Sequence, residues 1–428
     1  MGFDGIARRT FASLRVRNFR LFFVGQLISN SGNWLTNVAI TLLVLHQTGS
    51  GTAVGLLAFC QYGPLLVLTP GAGLVADRSN KRRLLYVTQT LEMVESFVLA
   101  LLAFLPHAPL PLFYLTALAG GCMLAFDNPA RRSFVNEMVP AAELSNAVTL
   151  YSAMTALSRV IGPTVAGALI VSFGYGWCFT IDGLSYLVVL SMLVFMRSDQ
   201  LRPAPRASRG PGQIRAGLRY VARVPELWIS FTMLLIIGTA SYNFTVVFPL
   251  FVEKGLRGTD NQYTLVYAAF SIGGVLGTLA VARRAAITLR SIIFGAIGFG
   301  TSLVALFFVP GLAFAYPLAA VIGGMSVAYL TATTAIAQLR SDRAMIGRVL
   351  ALQTVLQLGT TPIGGPVLGW IADVAGGRAP VLVGGIAALG AALLGAGLAR
   401  RWAPGGVSGA GGQDPEVADG TVQHHRGC

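Results

Sequence analysis

Charge is scarce in this 428-residue chain: Asp, Glu, Lys and Arg together make up 11% of it, against 54% hydrophobic residues. A soluble domain usually carries about 25% charged residues. The shortage excludes an ordinary water-facing surface over most of the chain. Acids are the rarer sign, 17 against 31 basic residues, for a formal net charge of +14. Lysine is confined to Lys81 and Lys254. The 4 cysteines, Cys60, Cys122, Cys178 and Cys428, show no metal-ligand spacing. Neither a disulfide framework nor a zinc site is expected from them. The 4 histidines, His46, His107, His424 and His425, fall in expected loops and the tail. No imidazole is therefore expected inside a span as a proton relay. A nucleophile–base pair, a metal cluster and a phosphate loop are all missing, so an enzyme is not expected. The basic start, residues 1–20, has no apolar stretch before a cleavage site, and no removable signal peptide is expected.

What the chain does have is apolar length. A spanning helix needs roughly 20 apolar residues. Such runs recur at Phe19 to Leu45, Val54 to Val75, Leu84 to Leu105 and onward to Leu398, and twelve are expected. The basic residues are not spread evenly between them. With the amino terminus in the cytoplasm, 27 of the 31 Lys and Arg fall in cytoplasmic segments. Lys254, Arg257 and Arg378 fall outside, and Arg159 lies within a span. This positive-inside asymmetry sets the orientation, with both termini cytoplasmic. It also gives the net charge a membrane origin, and no nucleic-acid partner is expected.

A polar centre divides the chain. The expected organisation is a cytoplasmic amino-terminal arm (1–16), a six-helix bundle (17–196), a cytoplasmic linker (197–226), a second six-helix bundle (227–400) and a disordered cytoplasmic tail (401–428). The linker carries seven arginines, and an amphipathic helix is expected near Gln213 to Val224. The halves echo each other at an offset of 203 residues: Gly120–Gly121 matches Gly323–Gly324, and Gly162–Pro163 matches Gly365–Pro366. Repeated six-helix halves place a substrate site near the midplane, between the halves. The fold class is thus an all-α membrane protein with twelve transmembrane helices in two pseudo-symmetric six-helix bundles.

Three motifs carry a family likeness. The loop after the second span reads Gly73-Leu-Val-Ala-Asp77-Arg78-Ser-Asn-Lys81-Arg82-Arg83. Gly73 permits close helix approach. Asp77 suits a helix amino terminus, where the dipole favours an anion. Lys81, Arg82 and Arg83 suit anionic headgroups. After the fourth span comes Phe126-Asp127-Asn-Pro129-Ala-Arg131-Arg132-Ser-Phe134-Val-Asn-Glu137-Met-Val-Pro140, where Pro129 is expected to end the span and Asp127 to pair at the interface. The fifth span holds Arg159-Val-Ile-Gly162-Pro163, in which Gly162 and Pro163 allow a bend and close packing. Over roughly residues 15 to 400 the chain resembles the major facilitator superfamily, in its drug:proton antiporter branch of siderophore-exporter and macrolide-efflux type. The resemblance implies that Gly73, Asp77, Arg78, Lys81 and Arg82 form a latch. Its partner is the start of the eleventh span, and it shuts the cytoplasmic side. Asn80 replaces the usual Gly, and Val281 stands where a second-half acid would be, so the second-half latch is expected to be degenerate.

Ionisable groups inside spans are costly and usually functional. Glu92 and Glu95 lie nine and twelve residues past Arg83, about 13 and 18 Å deep at 1.5 Å per residue. Three apart, they share one side of the third span, as an alternating proton carrier requires. Asp127, Asp182 and Arg159 are further proton-coupling candidates, with Asp182 expected near the outer interface. Gln26, Asn30, Asn33, Asn37 and Thr41 form one polar stripe on the first span. Such a stripe faces protein or water, not lipid. The resemblance makes this span a wall of the central cavity, with Tyr242 and Asn243 of the seventh span and Tyr329 and Thr331 of the tenth. Uncharged polar and aromatic groups suit an amphipathic or aromatic cargo.

The expected function is export of a small organic molecule, drug-like, macrolide-like or siderophore-like, across the cytoplasmic membrane in exchange for protons. An uptake symporter or uniporter of the same fold is the main alternative, and a transport-dead membrane sensor a remote one. No cofactor beyond the proton gradient is expected. Partners are the cargo and membrane lipids, with the monomer as the working unit. Arginine outnumbers lysine 29 to 2 and Ala and Gly are abundant, which suggests a bacterial source and an inner-membrane location.

Overall fold

The computed structural model describes residues 11–202, 213–282, 287–342, 345–358 and 360–402, without the side chains at 70, 74, 77, 213, 214, 279, 281, 282 and 358. The expected disordered tail beyond 402, the first ten residues of the arm, the linker residues 203–212, the pair Arg283–Arg284 and the side chains of Asp77 and Val281 lie outside the described residues.

Every described regular element is helical. In the first half these are α1 (Arg17–Thr48), α2 (Gly51–Arg78), α3 (Lys81–Phe104), α4 (Leu110–Met138), α5 (Leu144–Phe173) and α6 (Tyr175–Phe195). The linker contributes α7 (Gln213–Arg223), at the position expected for an amphipathic helix. The second half holds α8 (Pro225–Ala240), α9 (Phe244–Leu250), α10 (Asp260–Ala282), α11 (Leu289–Phe307), α12 (Leu312–Leu339), α13 (Ile346–Leu358), α14 (Thr361–Ala375) and α15 (Ala379–Trp402). Nine of the described helical segments are long and apolar enough to cross a membrane.

Local chemistry explains the boundaries. Ser50 caps α2 by accepting from the Ala53 N–H at 3.3 Å, and Asn80 caps α3 by accepting from the Arg83 N–H at 3.1 Å. Gly49 ends α1 in the left-handed region, with φ 61°, where a side chain would strain. The burial pattern is that of a protein whose solvent is partly lipid. Val67 and Leu393 are 75% and 74% exposed, while Gln89 and Asp127 are at 0%. Apolar residues face outward without penalty in hydrocarbon, and polar side chains turn to one another.

Two expectations change. Pro129 does not end its helix: α4 runs on to Met138. A proline frees one carbonyl without stopping a helix that neighbouring helices hold in place. The expected seventh span is broken at Ser241–Asn243, between α8 and α9, where the Ser241 hydroxyl donates to the Gly384 carbonyl at 2.7 Å. The expected eleventh is described in two parts, α13 and α14, on either side of residue 359, which lies outside the described residues.

Within the first half α1 packs on α5 and α6, α2 on α4, and α3 on α4 and α6. The second half repeats the pattern: α8 packs on α13, α14 and α15, α10 on α12, and α11 on α12 and α15. The two glycine pairs lie on corresponding helices, α4 and α12, but their closest contacts fall on different members of the pair: Gly121 of α4 meets the Gln61 carbonyl of α2, whereas Gly323 of α12, the counterpart of Gly120, meets the Phe270 carbonyl of α10, each with no room for a Cβ. The halves join chiefly through α2 with α14 and α5 with α10. Arg78, Lys81, Arg131, Arg132 and Arg197 gather at one end, here termed the basic end. The α1–α2 turn and the start of α10 mark the far end.

Candidate functional site

A tract of buried polar groups threads the first half. Because α4 continues past Pro129, Asp127 is fully buried and not interfacial as expected. It pairs with Arg131 one turn on, and accepts from Thr88 Oγ1 at 2.8 Å and Gln89 Nε2 at 2.9 Å. Arg131 in turn donates to Gln26 Oε1 and Asn30 Oδ1 of α1, each at 3.0 Å. The basic-end half of the polar stripe thus serves as hydrogen-bonding partner for a buried guanidinium. Gln89 also donates to Glu92 Oε2 at 3.0 Å, which links this network to α3's carboxylates.

Glu92, Glu95 and Asp182 line one small cavity of about 70 Å³ together with Asn33, Asn37 and Tyr62. Asp182 lies deep, not at the interface: it is 1% exposed and accepts from Thr36 Oγ1 and Ser96 Oγ, both at 2.8 Å. Seven residues of α6 precede it, roughly 10 Å of helix, enough to carry it below the surface. Glu95 lies over Gly120, where any Cβ would collide with the carboxylate. Glu92 is 3% exposed, and its Oε1 has no hydrogen-bond partner among the described residues. Asn37 donates to the Tyr62 hydroxyl at 3.2 Å.

A larger cavity of about 440 Å³ separates α5 from α10 and reaches the basic end. Its walls carry Arg132, Tyr151, Ser152, Thr155 and Arg159 on one side and Tyr267, Phe270, Ser271 and Thr278 on the other. Arg159 does not reach the acids of α3: its guanidinium lies over the Trp34 ring, 5.3 Å from the centroid. Among the described residues, two guanidiniums and no carboxylate line this space. The sequence reading missed the α10 wall. Its signal was available, because Tyr267, Ser271 and Thr278 recur at helical spacing as Tyr151, Thr155 and Arg159 do on α5.

The second-half candidates are not gathered here. The Tyr242 hydroxyl donates to the Ser326 carbonyl at 2.6 Å, and Asn243 Nδ2 to the Thr239 carbonyl at 2.7 Å. Tyr329 is fully buried. None of these, nor Thr331, lines either cavity. Gly162 packs against the Ser31 carbonyl and the Trp34 Cβ of α1, and Pro163 beside it is buried within α5. At the basic end Arg78 is exposed. Lys81 and Arg82, expected to meet lipid headgroups, are engaged within the protein: Lys81 bonds Glu137 at 2.6 Å, and Arg82 donates to the Leu193 carbonyl that ends α6.

The far end is closed by polar ties between the halves. Asp373 of α14 accepts from the Gly51 N–H at 2.6 Å, the Thr52 N–H at 2.9 Å and Ser50 Oγ at 2.8 Å, and pairs with Lys254 at 2.6 Å. Tyr175 of α6 donates to Asp260 of α10 at 2.7 Å, and His46 of α1 lies 3.3 Å from both Glu253 and Asp260. The sequence reading passed over these residues. A hint existed: Gly369-Trp-Ile-Ala-Asp373 repeats the Gly-x-x-Ala-Asp pattern of Gly73 to Asp77. The halves are thus tied to each other at the far end, while the α5–α10 cavity extends toward the basic end as far as Arg132 and Thr278.

The family profile described as transmembrane secretion effector matches residues 8–407. The multidrug efflux pump Tap of Mycolicibacterium fortuitum is 25% identical over 85% of this chain and 91% of its own length. The enterobactin exporter EntS of Shigella flexneri is 23% identical over 82% and 84%. The staphyloferrin A transporter of Staphylococcus aureus is 22% identical over 62% of this chain and 66% of its own length. Among solved structures, a bacterial homologue of the human lysosomal transporter Spinster, inward-facing and unoccupied, superimposes with a TM-score of 0.70 at 14% identity, covering 90% of this chain and 97% of that one. A POT family transporter in complex with 5-aminolevulinic acid gives 0.73 at 10% identity, covering 91% and 97%. This chain belongs to the transmembrane secretion effector family of major facilitator transporters.

Proposed function

We propose that the protein exports a small organic molecule across a bacterial cytoplasmic membrane, by alternating access and in exchange for protons. The observation that carries this reading is the α5–α10 cavity, which extends toward the basic end, together with the polar ties that join the halves at the far end. The nine apolar segments become twelve crossings with α1, α10 and the α13–α14 pair, in two six-helix bundles. The repeated helix contacts support that count, and the polar stripe explains why α1 is less apolar than its neighbours. The basic end is taken as cytoplasmic on the positive-inside asymmetry. Cargo then enters the cavity from the cytoplasm, and rocking of the halves exposes it to the outside.

The cavity's chemistry narrows the cargo. Arg132 and Arg159 offer forked donors, with no lining carboxylate among the described residues to neutralise them. Tyr151, Tyr267 and Phe270 add aromatic faces. An anionic or oxygen-rich aromatic molecule fits better than a lipophilic cation. The named relatives, a multidrug efflux pump and an enterobactin exporter, agree with outward transport of such compounds. Glu92 and Asp182, joined in one cavity, are the proposed proton carriers of the first half.

The test is efflux from cells lacking their main exporters. A fluorescent aromatic anion, a lipophilic cation and a macrolide are followed with and without a protonophore. Efflux of the anion that stops with the protonophore supports the reading. Accumulation above the empty-vector level would indicate uptake instead.

A further inference from the structure

The far-end tie between the halves contains an imidazole whose hydrogen bonds do not balance unless one extra proton is bound. Asp260 Oδ2 accepts from the Tyr175 hydroxyl at 2.7 Å. The hydroxyl has one hydrogen, and a carboxylate can only accept. The Tyr175 oxygen, 2.5 Å from His46 Nδ1, must then accept from an Nδ1–H. With that tautomer fixed, His46 Nε2 faces Glu253 Oε2 and Asp260 Oδ1, each at 3.3 Å. A bare nitrogen lone pair between two carboxylate oxygens has nothing to hold it there. Glu253 Oε1 is buried with no hydrogen-bond partner among the described residues, so that carboxylate has no competing donor. The geometry points to a proton-binding site made by His46, Tyr175, Glu253 and Asp260, filled from outside when the far end closes and emptied when it opens.

Among the described residues no other charge substitutes for that proton. Lys254, beside Glu253, is turned to Asp373 at 2.6 Å, and Arg378 donates to the Gly255 carbonyl at 3.1 Å. Arg257 is exposed in the same connection, and Cys178 is buried one turn along α6 from Tyr175. The His46 side chain is 47% exposed, so water reaches it directly. His46 and Tyr175 belong to the first half and Glu253 and Asp260 to the second, so separation of the halves dismantles the site. Protons therefore favour the far-end-closed form, and one proton taken up on closure changes the closed-to-open ratio by at most about tenfold per pH unit. The inference rests on the proposed proton exchange only for what the captured proton is used for. On that reading, an external proton closes the outer side after cargo has left.

The test reads conformation, not transport, so it stands apart from the exporter reading. Cys60, Cys122, Cys178 and Cys428 are replaced in the full-length protein. Spin labels are attached at His107→Cys and Pro310→Cys, on far-end loops of opposite halves. The first substitution also removes the other imidazole at this end. Distances are measured in nanodiscs with a chelator between pH 5 and 8. The short-distance population should fall as pH rises, and His46→Gln should abolish the dependence. Should that variant misfold, Glu253→Gln with Asp260→Asn serves in its place, because neutral partners no longer require the proton and the population should again be flat. A dependence that survives either variant, or a parent protein insensitive to pH, overturns the proposal. So does closure that follows added zinc and not protons.

Discussion

Asp373 and Gly51, 322 residues apart in the chain, meet at 2.6 Å where the end of α14 covers the first turn of α2. The carboxylate accepts from two successive backbone N–H groups and from two hydroxyls there. A helix amino terminus is the place where an anion gains most from the backbone. The contact ties the two halves at the far end.

Removing the charge should loosen that end. Asp373→Asn weakens hydrogen bonds to a charged acceptor, each worth about 1.5–3 kcal/mol. Loss of one such bond shifts the closed-to-open ratio by roughly tenfold to a hundredfold. Cysteine accessibility at the far-end loops should rise accordingly. Unchanged accessibility would make Asp373 a local cap with no part in gating.

Arg159 should matter to transport more than to folding. It lies over Trp34 within the α5–α10 cavity and has no carboxylate partner among the described residues. Arg159→Gln is expected to lower export of an aromatic anion by about tenfold, the worth of one charge-assisted bond. Thermal stability should stay near that of the parent. Arg159→Lys should recover part of the rate, keeping the charge while losing the fork.

The Asp127–Arg131 pair should behave in the opposite way. Both side chains are buried, and the guanidinium is further held by Gln26 and Asn30. Taking away one partner of a buried pair costs about 3–5 kcal/mol. Asp127→Leu should therefore destabilise the protein strongly in thermal unfolding. Asp127→Leu with Arg131→Met should recover much of that loss. A single variant as stable as the parent would mean that Arg131 finds another anion, with Glu92 the nearest candidate through Gln89.

The fold was legible because lipid imposes a coarse rule. Runs from Phe19 to Leu398 announce helices whatever their partners, and the glycine pairs of the 203-residue echo fall on corresponding helices, α4 and α12, where each pair has a member with no room for a Cβ. Buried polar residues were legible as a class but not by role. Gln26 and Asn33 belong to one stripe, yet one serves Arg131 and the other lines the small cavity. Helical spacing specifies a face, and what lies opposite that face depends on tertiary packing. His46 was set aside because it lies at a helix end. Its meaning comes from Glu253 and Asp260, more than 200 residues away in the chain. Asp127 was misplaced in depth because Pro129 reads locally as a helix end, while the packed α4 continues through it.

Exchange of cargo for protons is tested most directly in proteoliposomes loaded with a pH-sensitive dye. The protein is reconstituted with its basic end outward, and the lumen is made acidic. The account predicts that an added aromatic anion accumulates inside while protons leave, that a protonophore abolishes both, and that Glu92→Gln lowers both together. Accumulation unaffected by the pH gradient, or protons moving in the same direction as the cargo, would contradict it.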